Sequence, residues 1–226
     1  MSQIDPAHDA PLPPASVTPE ELAARLAAKL CHDFISPAGA IVSGLDLLDD
    51  PTAKDMRDEA MDLIAASARK LTDHLAFARV AFGTSVGSES FDSAELGRLA
   101  QGVFAHVRAE LAWEVSPQSL PKRASLVLLN LAQLASLALP MGGIARVEAT
   151  GAEGAFHLVA RAEGARVRLH PEVKAGLDGE PLGDGMAGRW VQAYYVQAVV
   201  RSVGGGIEVE ASDETVVFRA SIPAAA

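Results

Sequence analysis

The chain has 226 residues and a single cysteine, Cys31. A lone thiol excludes an internal disulfide and any metal site built from cysteines. Aromatic residues are scarce, at 5%. Basic residues are outnumbered, 19 Lys and Arg against 29 Asp and Glu, for a formal net charge of -10. That balance excludes a general nucleic-acid binder, because a phosphate backbone is held by Lys and Arg. No apolar run approaches the ~20 residues that cross a bilayer. No basic stretch leading into an apolar segment opens the chain. The expectation is a soluble, cytoplasmic protein with no membrane or nucleic-acid partner. What is plentiful is alanine, within a hydrophobic share of 49%. That favours helix and supplies a core for one large or two small domains.

The chain divides by pattern. Residues 1–17 are Pro- and Ala-rich without a period and read as a flexible tail. A first helix starts at Thr18-Pro19-Glu20-Glu21, a capping box with proline at the first helical position, and runs to about Asp49. Asp50-Pro51-Thr52 makes a turn, with Asp50 or Thr52 capping a second helix over residues 53–82. Its apolar face is Met56, Leu63, Ile64, Leu71, Leu75, Ala78 and Phe82, and Gly83 stops it. Residues 18–83 are thus an antiparallel helical hairpin. A hairpin cannot enclose a broad apolar face alone, so a second copy is expected, giving a homodimer with a four-helix bundle.

Residues 84–90 read as a linker. Residues 91–226 open with a capping pattern at Asp92-Ser93-Ala94-Glu95 and a helix to about Val107. A strand at 110–115, an apolar helix at 121–139, strands at 145–149, 155–161 and 165–169, a helix at 186–203 and a closing hairpin of strands at 207–211 and 215–222 follow. The fold class is α+β, with a mostly antiparallel sheet in a layer sandwich.

One stretch of the first helix carries chemistry. Leu22, Leu26, Leu30, Phe34, Ala38, Ile41, Leu45 and Leu48 share one face, and His32 falls about 180° from its centre. His32 therefore points to solvent. Arg25, Ala28, Lys29, Ser36, Gly39 and Ser43 share its side, mostly small residues that would admit a partner. The run His32-Asp33-Phe34-Ile35-Ser36-Pro37 resembles the H-box of histidine kinases, a His-Glu/Asp-x-x-Ser/Thr/Arg-Pro pattern. The resemblance makes His32 a nucleophile for phosphorus and Asp33 the carboxylate that fixes its tautomer. Pro37 lacks the N–H that would bond to the Asp33 carbonyl, so it loosens and kinks the helix there.

The second half resembles the ATP-binding domain of histidine kinases at Leu128–Ala135, Gly142-Gly143-Ile144 and the terminal Gly204-Gly205-Gly206-Ile207 hairpin. The nucleotide residues are missing. Of the family's Asn-x-x-x-Asn-Ala, Asn130 remains and the Mg²⁺-holding position is Leu134. The Asp-x-Gly-x-Gly falls at Ala162-Glu163-Gly164-Ala165-Arg166, and the phosphate loop is reduced to Gly185-Met186-Ala187-Gly188-Arg189-Trp190. A triphosphate needs a metal ligand and open backbone donors, and leucine offers neither.

An intact phosphoacceptor hairpin beside a degenerate ATPase-like domain resembles a histidine phosphotransferase of the ChpT type, over residues 18–224. The resemblance implies that His32 takes a phosphoryl group from the receiver domain of a hybrid histidine kinase. It then passes the group to response-regulator receiver domains, in a phosphorelay tied to bacterial cell-cycle control. Arg25 and Lys29 would balance phosphoryl charge. No cofactor or metal is expected in this chain, and Mg²⁺ would come with the partner receiver. Two other expectations stand beside it: a divergent ATP-dependent kinase, and a dimeric scaffold that binds receivers without chemistry.

Overall fold

The computed structural model describes residues 17–83, 89–152, 154–181 and 187–224. The expected tail, most of the linker and the Gly185-Met186 pair lie outside the described residues.

Helix α1 spans Pro19–Asp49 and α2 spans Arg57–Ala81. Thr18 caps α1, its side chain accepting from the Glu21 N–H. The Glu21 carboxylate does not close the other half of the box. It takes Arg25 Nη2 at 3.0 Å instead. The helix runs without a break through Pro37, which is one of its two buried residues; Gly44 is the other. At Gly44 a Cβ would come within 2.6 Å of Ile64 Cγ1 and 3.2 Å of the Ala60 carbonyl, so glycine lets α1 and α2 touch.

The start of α2 differs from expectation. Residues Lys54–Met56 form a turn of 3-10 helix, and neither Asp50 nor Thr52 caps α2. Asp50 Oδ1 instead accepts from the Thr52 N–H and hydroxyl, each at 2.7 Å, which closes the turn and lowers the Asp50 pKa. Gly83, at φ 73°, stops α2 as expected.

The second half begins with strand β1 (Ser90–Asp92) and helix α3 (Ser93–Phe104). Asp92 caps α3 by accepting from the Ala94 and Glu95 N–H groups. Strands β2 (Ala109–Val115) and β3 (Ser119–Pro121) lead to helix α4 (Lys122–Leu137). Then come β4 (Gly143–Ala152), β5 (Ala155–Glu163), α5 (Pro171–Asp178), α6 (Ala187–Ser202), β6 (Gly206–Ala211) and β7 (Thr215–Pro223). The main sheet has the order β2-β4-β5-β7-β6 and is antiparallel except for the parallel β2–β4 pair. The class is α+β, with helices over one face of a mixed sheet.

Three-residue strands β1 and β3, paired antiparallel, carry too little pattern to be seen in sequence. The expected strand at 165–169 is absent. Both sides of β5 are already taken by β4 and β7, so the chain leaves the sheet after Glu163. It passes the end of α4, where the Arg168 N–H bonds the Ala138 carbonyl, and Pro171 starts α5.

Helix α4 is the spine of the core. Leu126, Val127, Leu128, Leu129, Leu131 and Leu134 are all buried, between the sheet and helices α2, α3 and α6. On the sheet, Ala145, Val147, Leu158, Ala160, Phe218 and Ala220 face this layer. The other sheet face is solvated and carries cross-strand ion pairs such as Arg219–Glu210 at 2.8 Å. The end of α2 also packs on this core through Phe77, Val80 and Ala81. Those residues lie outside the face expected for α2, which has one side for α1 and another for the second half.

Candidate phosphotransfer site

His32 projects from α1, and its side chain is 89% exposed. Asp33, on the next position, is drawn away from it. Lys29 lies one turn earlier, and its ammonium donates to Asp33 Oδ2 at 2.5 Å. Lys29 is largely buried, with 10% of its side chain accessible. The other carboxylate oxygen, Oδ1, stands 3.6 Å from His32 Nδ1, an ion-pair separation and not a hydrogen bond. Lys29 therefore fixes the carboxylate, and the carboxylate marks the Nδ1 edge of the ring. Nε2 is the edge turned away from it.

His32 stands at a cleft of about 630 Å³. One wall is α1, through Arg25, Ala28, Lys29 and Asp33; the other is α4 and α6, through Gln133, Leu137, Gly188, Arg189 and Gln192. Ser36, Gly39 and Ser43 are exposed on α1 but lie beyond the cleft, towards the hairpin turn. A Cβ at Gly39 would meet nothing within 4 Å. Arg25 is not a loose charge. Its guanidinium pairs with Glu21 and lies 5.8 Å from the centre of the Trp190 ring. Trp190 is buried, stacked on Tyr194, and its indole N–H donates to the Glu180 carbonyl at 3.0 Å.

His74 also lines the cleft, from α2. The sequence scatters the histidines, but folding stacks His74 on His106, ring centres 6.1 Å apart. His106 Nε2 bonds Asp73 Oδ2 at 2.8 Å. Burial is the main force holding His74 below the ordinary imidazole pKa, with Lys70, His106 and Lys29 adding to it and Asp33 opposing. His170 is lowered the same way, by burial and then by Arg189 and Arg168. Sequence spacing gave no sign of His74 or of the α4 and α6 wall, because only the docking of the hairpin brings them to His32.

Two of the nucleotide positions, Leu134 and Asn130, offer no ligand to a Mg²⁺-bound triphosphate. Leu134 is buried in the core, 1% exposed. The Asn130 amide is fully engaged: Nδ2 donates to the Ala81 and Leu126 carbonyls and Oδ1 accepts from Gln192. Among the described residues, no group of three or more His, Cys, Asp or Glu side chains is arranged to hold a metal. No helix among them is long and apolar enough to cross a membrane.

The family model of the histidine phosphotransferase C-terminal domain matches residues 93–215. The chain belongs to the histidine phosphotransferase family. Protein phosphotransferase ChpT of Brucella abortus (strain 2308) is 32% identical to this family member over 209 residues, covering 92% of this chain and 98% of its own. A bacterial phosphotransferase of known structure superposes on this phosphotransferase with a TM-score of 0.81 and 31% identity, over 92% of this chain and 98% of that one.

Proposed function

We propose that this phosphotransferase is a relay between aspartates on other proteins. His32 accepts a phosphoryl group from the receiver aspartate of a hybrid histidine kinase and hands it to the receiver domains of response regulators. The observation that carries the reading is the imidazole itself, open to solvent on the rim of a cleft and flanked by a carboxylate held by lysine. The electron pair of Nε2 attacks phosphorus. An N–P bond forms, the acyl O–P bond breaks, and the aspartate leaves as a carboxylate. Transfer onward runs the same exchange in reverse. Asp33 is placed to accept Nδ1–H after a small rotation, which keeps Nε2 unprotonated for attack.

Mg²⁺ would come with the receiver's acidic pocket, and ATP has no part in the relay. Ser36, Gly39 and Ser43 extend a low-relief surface from the cleft along α1, suited to an approaching domain. Two copies pair through the hairpins: Val42, Leu45, Leu63 and Leu75 are exposed there, at 55%, 48%, 38% and 48%, an apolar surface that needs a cover. A cytoplasmic place and a part in bacterial cell-cycle control complete the reading.

The test mixes the chain with a receiver phosphorylated on its aspartate. Label is expected to move to this chain and to be lost in His32→Gln. Labelling of His32 by ATP alone would make the protein a kinase. Transfer between receivers that survives His32→Gln would make it a scaffold.

A further inference from the structure

We propose that Asn130, Gln192 and Gln133 form a polar clamp that fixes the hairpin on the second half of the chain, and that Asn130 is a positioning residue for transfer through His32. The last carbonyls of a helix have no partner within the helix. At the end of α2 the carbonyls of Ala78 and Val80 are closed by the Phe82 and Gly83 N–H groups. The Ala81 carbonyl is closed from outside, by Asn130 Nδ2 at 2.7 Å. The same amide nitrogen donates to Leu126 in its own helix at 2.9 Å. With both donors on carbonyls, the orientation of the amide is settled, and Oδ1 must accept. Gln192 Nε2 of α6 supplies that bond at 3.0 Å and reaches Gln133 Oε1 at 2.6 Å.

Hydrogen bonds thus run from α2 through α4 to α6, and Asn130 and Gln192 are both 0% exposed. Apolar side chains at these positions would fill the volume without fixing an angle between the helices. A directional, buried network admits one arrangement and is costly to leave half made. Gln192 shows the cost already, since its Oε1 is buried without a partner. The other helix of the hairpin is tied to α6 as well, by Arg25 over Trp190. Gln133 and Gln192 belong to the clamp and also to the cleft wall facing His32. The clamp therefore sets the width of the cleft that an incoming receiver meets. The link to transfer rests on the relay reading; the geometry of the clamp does not.

The experiment separates the two. A spin label on Cys31 and another on Asp213→Cys, in full-length chain diluted with unlabelled protein, report the distance between α1 and the β6–β7 turn. A narrow distribution is expected, and Asn130→Leu, which keeps the branch and the number of heavy atoms and removes both donors and the acceptor, is expected to broaden or shift it. Gln192→Leu cuts the two bonds from α6, leaves those of Asn130 to Ala81 and Leu126, and serves if Asn130→Leu folds poorly. Transfer from a phosphorylated receiver at concentrations well below saturation is expected to fall about tenfold in Asn130→Leu. Labelling of His32 by phosphoramidate, which needs no docking, is expected to stay the same. An unchanged distance distribution overturns the clamp, and so does a lower melting temperature as the sole effect. A broadened distribution with unchanged transfer overturns the positioning role. Failure of phosphoramidate to label His32 in the parent chain would count against the relay, leaving the clamp standing.

Discussion

Asp33 has two neighbours and serves them unequally. Lys29 holds one oxygen at 2.5 Å, while the imidazole waits 3.6 Å from the other. If Lys29 acts on His32 only through this carboxylate, the two side chains form one unit. Lys29→Met and Asp33→Asn are each expected to slow transfer by about tenfold or more. The double variant should be no slower than the worse single one, a non-additivity that a double-mutant cycle measures. His74 contributes a pH dependence. Its folded pKa lies below the ordinary 6.5, so the unfolded chain binds the proton more readily. The stability it lends is complete above about pH 6.5 and is lost as pH falls through that value towards the folded pKa. Melting curves taken across that range should show His74→Leu less sensitive to acid than the parent chain. His32, Asp33 and their outward face could be read from a period of 3.6 residues. The Lys29–Asp33 pair was implicit in a spacing of four. His74 was not legible, because its place depends on which residue of α2 comes to lie against which residue of α1.

At the scale of elements, two glycines on α1 test the packing in opposite directions. A methyl group at Gly44 collides with Ile64, and Gly44→Ala is expected to destabilise the hairpin by about 1–3 kcal/mol. Nothing stands near Gly39, and Gly39→Ala should stabilise α1 by about 0.5–1 kcal/mol through backbone entropy alone. Chemical denaturation of the two variants measures both. The long helices, the glycine stop at Gly83 and the strands of the main sheet were legible, since each shows its period over several turns or alternations. The segment 165–169 has strand composition, but both sides of the preceding strand β5 are taken by β4 and β7, a fact of topology that local pattern does not carry. Helix α5 has only eight residues, too few to show a period. Phe77, Val80 and Ala81 looked surplus to the face of α2 because that helix serves two partners, and a single-face search finds one.

At the scale of the whole molecule, the hairpin displays more apolar surface than one chain covers. Leu45→Glu combined with Leu75→Glu is expected to halve the mass seen by light scattering while leaving the second half folded, since both residues lie away from its core. A parent chain of monomeric mass would overturn the pairing, and a dimeric mass unchanged by the pair of charges would place the partner surface elsewhere. The α+β sandwich was within reach of the sequence; how the hairpin leans on it was not, because Asn130 read as a leftover of a nucleotide pocket with its amide on local backbone, not as a link to α2 and α6. The openness of the His32 ring has a cost in time. Among the described residues nothing covers the ring, so on a phosphoimidazole there hydrolysis by bulk water would compete with delivery from the moment it is loaded. On the relay reading the message is perishable: how far it travels depends on how soon the next receiver arrives, and the carrier clears itself when none does.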